Sequence, residues 1–539
     1  MNEIEEKYRQ VKNIEYLRKQ YGTEQWIKVC GHCDLNGADA GFYCGLAEKN
    51  MVPQVFRDYS WDIHNDCNGP GFEGDSNGYL YRANFLDEGF EALLHYREFF
   101  GIKPNYVELS QEFVLLNNLR FDTKNNAYYA MYENGEEEIA VKYEDSCSLS
   151  IKLKFLRKYA AAKQMAILLF FDIRTSKTGS LKEFGLQKFN EESKSENLFY
   201  DIWGGEMTCP QVVFSVIMGK KIIYPMPVEE CGYWPYEKQR QYEEFIIDLD
   251  EQGNEKTFTS NPDKLANYFG ANPQAPHYLT PVFFKKEVLQ KYIAEPEKYE
   301  IRDGYLSCGS LWGMEIDNHH KSCIAAYLGD LGRDLPESEQ SYWKSYNIVG
   351  EEGLSKTSFE RDFCCISSES NMIDHKFQLD YLNLNHEWQK KYKWPLFLDL
   401  SQEDQYNFEQ IRIPLTDSQP EFDQLVLCLT KVLIDSVNEK AIVKEIEQQT
   451  DLKGIGKLQA WIEKANVEGY SGHIQFLKDL QELRSTGTAH SKGKGYKKIA
   501  DKFEINQKSH IDVYEEILHK ADDFILYMKT MFIVDIVKE

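Results

Sequence analysis

The stretch Ser471–Lys498 reads SGHIQFLKDLQELRSTGTAHSKGKGYKK. Ser471 is placed to cap a helix, and Phe476, Leu477, Leu480 and Leu483 then recur at three- and four-residue spacing. That spacing makes one apolar stripe, so the helix must pack against others. Arg484 follows Leu480 by four residues and falls on the edge of the stripe, where a packed helix ordinarily carries an apolar residue. Gly487 weakens the helix one turn later, His490 comes six residues after Arg484, and the loop SKGKGYKK closes the stretch.

Working outward, the same period continues on both sides. Phe422, Leu425, Leu429, Val432, Leu433 and Val437 predict a long first helix, entered through the Pro-containing segment IRIPLTDSQPEFDQ. Gly454 and Gly456 break the chain, and 457–466, with Trp461, give a short second helix. The quoted stretch is the third. The last, over 509–537 and capped by Ser509, turns Tyr514, Ile517, Leu518, Ala521, Phe524, Ile525, Met528, Met531 and Phe532 inward. Four helices with short connections make a bundle.

An arginine and a histidine at a helix end, followed by a basic glycine loop, suit one chemistry. Cleaving RNA without a metal needs a base for the 2′-OH proton and a cation for the charge that develops on phosphorus. Histidine titrates near neutral pH and serves as base or acid, and arginine offers phosphate a fixed fork. Lys492, Lys494, Lys497 and Lys498 are placed to follow the substrate backbone, with Ser485 and Tyr496 as supporting residues. Arg57 and His64 have a similar spacing, but the segment RDYSWDIH carries no helical stripe and reads as ordinary surface or core. The alternative for Arg484 is structural: it pairs with a carboxylate inside a bundle.

The motif in its helical context resembles the HEPN superfamily, small helical domains of which many are ribonucleases marked by Arg, four to six residues, then His. LRSTGTAH has five intervening residues. Ser485 departs from the Asn, Asp or His that often follows the arginine. The resemblance covers roughly the last 120 residues. It implies that Arg484 and His490 are catalytic, that no cofactor or metal is needed, and that two bundles pair so that both subunits line one cleft. The implied assembly is a homodimer or a larger even oligomer. Large mixed domains fused before a HEPN ribonuclease are similar to bacterial abortive-infection and antiphage proteins, including the ApeA group. By that architecture the substrate is RNA, structured RNA such as tRNA among the candidates, and the N-terminal region answers a phage-derived or nucleotide trigger. A degenerate HEPN domain that pairs subunits without cutting is the alternative. An enzyme in the N-terminal region is a third reading, although no constellation assembles there.

The totals bound the rest. A chain of 539 residues exceeds a single core. Its 42% apolar and 14% aromatic content is that of a folded protein, and a formal charge of −25 opposes nonspecific binding to nucleic acid or membrane by the whole chain. Any RNA site must be a local patch, and Arg484–Lys508 supplies one, with seven Lys and Arg against Asp501 and Glu504. The beginning MNEIEEKYRQ is not a signal peptide, and no apolar run approaches a membrane span. A cytoplasmic protein with reduced thiols is expected, since the 12 cysteines show no framework spacing.

The expected fold is an α+β N-terminal region, one or two mixed antiparallel-sheet domains, followed by an all-α HEPN-like bundle. The expected boundaries are 1–198, 199–395 and 396–539. Residues 2–20 read as an amphipathic helix, 65–78 as a turn-rich loop, 86–100 as a helix, and 174–198 as an exposed loop. Asn134-Gly135 marks a hairpin, AILLFFDI at 166–173 is a buried strand, and a second hairpin turns at Gln252-Gly253-Asn254. Residues 351–418 are mixed. Cys30, His32, Cys33 and Cys44 lack the order of a zinc site, and His319, His320 and Cys323 read as a solvent-facing turn. No Walker loop, dinucleotide fingerprint or Gly-x-Ser-x-Gly is present.

Overall fold

The computed structural model describes residues 2–57, 70–76, 78–82, 88–320, 322–350, 353–364, 372–401, 404–446, 452–487 and 494–534. The chain divides into two compact units, Met1–Gln239 and Arg240–Glu539. The expected boundary after 198 falls inside the first unit and that after 395 inside the second.

The first unit is built on an eleven-stranded antiparallel sheet. In chain order its strands are β1 (Trp26–Leu35), β2 (Ala38–Glu48), β3 (Phe90–Ala92), β4 (Leu119–Asp122), β5 (Ala127–Met131), β6 (Glu137–Asp145), β7 (Ser148–Lys152), β8 (Met165–Thr178), β9 (Phe189–Lys194), β10 (Leu198–Thr208) and β11 (Gln211–Ile223). They lie side by side as β9-β10-β11-β8-β2-β1-β7-β6-β5-β4, with β3 beside β2. Strand β8 shows why AILLFFDI is apolar from Ala166 to Phe171. Successive strand side chains point to opposite faces. Ile167, Leu169, Phe171 and Ile173 enter one core, with helix α1 (Leu153–Lys163), while Ala166, Leu168 and Phe170 enter another with Val52, Val55 and Phe56. Covered on both faces, the strand has no polar face to alternate with.

Several local expectations change in this unit. Residues 2–20 form two short helices, Glu3–Tyr8 and Val11–Arg18, because Gln10 between them takes a left-handed backbone with φ 50°. Residues 90–97 are strands, not helix, with Phe90–Ala92 joined to β2. Residues 174–198 are not a loop: β8 runs to Thr178, a capped turn follows at Leu181–Phe184, and β9 pairs with β10. Of the expected 65–78 loop, Gly71–Asp75 is a strand paired with Gly78–Arg82, while 65–69 and 77 lie outside the described residues. The Asn134-Gly135 turn joins β5 to β6. Cys30 and Cys44 are separate buried thiols, Cys33 is half-buried, and His32 is exposed beside Asp39.

The second unit has two parts. A hairpin, β12 (Glu244–Leu249) with β13 (Glu255–Thr259), precedes a short sheet in which β14 (Pro281–Lys285) lies between β18 (Cys323–Tyr327) and β19 (Asn347–Ile348). A three-stranded meander of β15 (Tyr299–Arg302), β16 (Tyr305–Cys308) and β17 (Trp312–Glu315) shares their core around Phe284, Tyr292 and Trp343.

The helices follow: α2 (Lys356–Asp362), α3 (Ile373–Tyr392), α4 (Gln419–Thr430), α5 (Glu439–Ile446), α6 (Ile455–Lys464), α7 (Ser471–Gly487), α8 (Lys494–Lys502) and α9 (His510–Phe532). One core joins α3 to the rest, from Ile373, Phe377, Tyr381, Leu384 and Trp388 through Leu429, Leu477, Leu480, Tyr514 and Phe524. The helical region thus begins near 373, within the segment read as mixed. Truncating a ring such as Trp388, fully buried there, to Ala is worth about 3–5 kcal/mol.

Candidate active site

The apolar stripe of α7 is buried as its spacing requires: Phe476, Leu477, Leu480 and Leu483 all lie in the helical core. A residue on the edge of such a stripe keeps part of its surface in water. Arg484 does so in the last turn, with 29% of its side chain exposed. Its guanidinium donates to Asp435 Oδ2 at 2.7 Å.

Asp435 reaches that position through a defect in the preceding helix. After α4 the chain continues as one widened turn, Lys431–Asp435, closed by Ser436 N donating to Lys431 O at 3.1 Å, five residues back. Thr430 and Ser436 each donate a hydroxyl to the carbonyl four residues earlier, at 2.6 and 2.5 Å. Such back-bonding bends helices, and widened turns of this kind are frequent at functional sites. The long first helix expected from Phe422 to Val437 is therefore α4 plus this turn.

Residues 494–498, expected as loop, open α8 instead. Tyr496, Ile499, Ala500 and Phe503 recur at helical spacing and are buried, which turns Lys497 and Lys498 outward. Helix α8 packs on α7, and Gly487 lies against the Tyr496 ring. Tyr496 is a packing residue whose hydroxyl donates to Gln419 Oε1 at 3.2 Å. Ser485 is exposed and donates to Glu482 O at 3.0 Å, within its own helix. His490, Lys492 and the side chain of Lys494 lie outside the described residues, as does His64 of the other Arg/His pair. In the last helix, Met531 lies 38% exposed rather than inward, while Phe532 beside it is buried against Trp388 and Trp461.

A second group of titratable side chains stands apart from this one. His319 and His320, expected in a solvent-facing turn, are buried. His319 Nε2 lies 2.5 Å from Asp303 Oδ1, and its Nδ1 lies 3.2 Å from Asp317 Oδ1. Burial acts to lower the His319 pKa, but these two carboxylates overcome it and raise it to about 9. Burial opposes ionisation of Asp303 and Asp317 too. Hydrogen bonds from His319, with Arg361 on Asp303 and His320 and the Ser355 amide on Asp317, hold both well below the usual carboxylate range. Cys323, the third member of the expected turn, is the first residue of β18 and a buried thiol.

Sequence reasoning missed Asp303 and Arg361 because they are 16 and 42 residues from His319 and carry no local pattern. The His319-His320 pair beside Asp317 was the available signal. No family model, curated protein or solved structure matches the chain.

Proposed function

We propose that the chain is a metal-independent endoribonuclease of the HEPN type, with its chemistry in the helical region of the second unit. The observation that supports this best is the position of Arg484. Its side chain sits partly exposed in the last turn of α7, where the chain enters the segment that contains His490, and α8 packs alongside with Lys497 and Lys498 exposed.

In this reading His490 takes the proton from a ribose 2′-OH, or returns one to the leaving 5′ oxygen, and Arg484 stabilises the charge on the pentacovalent phosphorus. The 2′ oxygen forms the new bond to phosphorus as the 5′ oxygen leaves. The products are a 2′,3′-cyclic phosphate and a 5′-OH. Asp435 keeps the guanidinium in one orientation before RNA arrives, and phosphate oxygens then compete for its N–H donors. Two bundles pair, structured RNA such as tRNA is the substrate, and the N-terminal α+β region answers a phage-derived or nucleotide signal, as in abortive-infection effectors.

The Arg484–Asp435 ion pair also favours a second reading, a non-catalytic HEPN-like domain that pairs subunits and in which Arg484 is structural. Incubating the purified chain with total RNA in EDTA and sequencing the fragment ends decides between them. Cyclic-phosphate ends that vanish in His490→Ala support the nuclease. Intact RNA together with a stable dimer supports the pairing domain.

A further inference from the structure

The Asp303–His319 group opens onto a cleft of about 930 Å³ whose lining includes Asp303, Arg361 and His375. That volume is in the range of small-molecule sites. Separate elements bring the group together. Asp303 and Gly304 form the turn between β15 and β16, and Gly304 takes φ +78°, a conformation that suits glycine. Asn318 clamps this turn to the next segment: its side chain accepts from Gly304 N and donates to Arg302 O, both at 3.0 Å. The clamp sets Asp303 against His319. His375 comes from the first turn of α3 and Arg361 from α2.

From this geometry we infer that Asp303, His319 and His375 form a binding site for a divalent transition metal of the zinc class. One potential ligand atom from each lies within 4.8 Å of the others. Asp303 Oδ1 is 2.5 Å from His319 Nε2 and 3.9 Å from His375 Nδ1. Ligands about 2.0–2.2 Å from a tetrahedral zinc lie roughly 3.3 Å apart, so small side-chain shifts admit the ion.

The surrounding groups have the character of outer-shell partners. Asp317 accepts from His319 Nδ1, which leaves Nε2 as the ligand atom and fixes the ring, the carboxylate–histidine–metal arrangement. Asp317 is held in turn by Ser355 N at 2.7 Å. Arg361 donates to both oxygens of Asp303, at 2.9 and 2.8 Å, and its bond to Oδ2 persists when Oδ1 binds the metal. Two imidazoles and a single carboxylate favour zinc, cobalt or nickel over magnesium or calcium, which prefer all-oxygen sites. Three protein ligands leave the cleft side of the ion for water or an oxygen ligand, as in open zinc sites.

The competing account is a metal-free ion-pair network in which an imidazolium bridges two carboxylates. His375 separates the two. Its side chain is 24% exposed on the helix surface, and the Asp303–His319–Asp317 contacts do not need it. The experiment strips the full-length chain with a chelator and titrates it with Zn²⁺ against a chromophoric competitor, and with Co²⁺ followed by its visible ligand-field bands. Wild type is expected to bind one metal per chain. His375→Ala should weaken binding by more than the roughly 10–100-fold that removing an outer partner costs, and Asp317→Asn should fall in that lower range. His386→Ala, a histidine further along the same helix, should match wild type. Absence of a one-to-one metal in wild type, or equal binding by His375→Ala and His386→Ala, overturns the site in favour of the ion-pair network. Thermal melting confirms that each variant is folded. RNA cleavage in EDTA does not enter this test, so the nuclease reading and the metal site can fail separately.

Discussion

The end of α7 and the Asp303–His319 group are built on opposite principles. Arg484 is partly solvated, pairs with a carboxylate that is itself 41% exposed, and lies next to a chain segment read directly from a contiguous motif. His319 and Asp317 have only 3% of each side chain exposed, and residues spread from 303 to 375 complete their surroundings. Exposure makes an ion pair weak and a side chain available to a ligand, whereas burial makes each charge depend on its partner. The same chemical pair, a carboxylate and a cation, therefore has a different meaning in the two places.

The largest expected effect tests the first site as chemistry. His490→Ala should lower RNA cleavage in EDTA by about 10²–10⁴-fold, the usual worth of general acid–base catalysis, with the fold retained by circular dichroism. Arg484→Ala should reduce cleavage by a comparable factor. If Arg484→Ala instead unfolds the bundle, the two sites are alike after all and Arg484 is structural.

Removing a buried partner should cost stability rather than rate. Asp317→Ala leaves His319, His320 and the Ser355 amide without their shared acceptor, and about 3–5 kcal/mol is expected from urea unfolding of the second unit. A change below about 1 kcal/mol would show that water replaces the carboxylate, as on a surface.

An intermediate case lies between them. Glu421 accepts from Arg412, from the amides of Leu415 and Thr416 and from the Thr416 hydroxyl, tying the chain before α4 to that helix. Burial opposes its ionisation, but these bonds prevail and lower its pKa below the ordinary 4.5. A lowered carboxylate contributes stability that is present above 4.5 and lost as pH falls through the lower folded value. Glu421→Gln should cost about 1–3 kcal/mol at neutral pH and flatten the acid limb of stability below pH 4.5. Parallel acid limbs in mutant and wild type would refute the assignment.

Asp435→Asn should be the mildest of the stability changes, within about 1 kcal/mol, because it loosens a half-exposed pair. It should still lower cleavage by letting the Arg484 guanidinium move. Neutralising Lys497 and Lys498 together should reduce the salt slope of RNA binding by about 0.7 for each phosphate these lysines neutralise. An unchanged slope would mean that these exposed side chains are merely solvated.

What was legible followed locality. Helix α7 and its buried stripe, the hairpin at Asn134-Gly135 and the strand AILLFFDI all rest on local signals — a helical period, a turn dipeptide, an apolar run — and the structure contains them. Helix α3 had the same kind of signal in Ile373, Phe377, Tyr381, Leu384 and Trp388, but its interleaved Asn, His and aromatic residues obscured it. Strand β11 was not legible as a member of the first sheet, since its pairing to β8 joins distant segments. His319 was visible as a residue and misread in its environment.

By itself, the sequence determined the alternation of strand-period and helix-period segments, the −25 charge that confines any RNA contact to a local patch, and the Arg484–His490 motif with its basic continuation. Each is a property of neighbours along the chain or of composition. Only the tertiary structure decided that the chain divides at Gln239, that a widened turn delivers Asp435 to Arg484, and that Asp303, His319 and His375 come within 4.8 Å of one another. The physical reason is that burial and charge pairing depend on distances in space. Residues tens of positions apart acquire those distances only when the packing of the sheet, the turn at Gly304 and the helices brings them together.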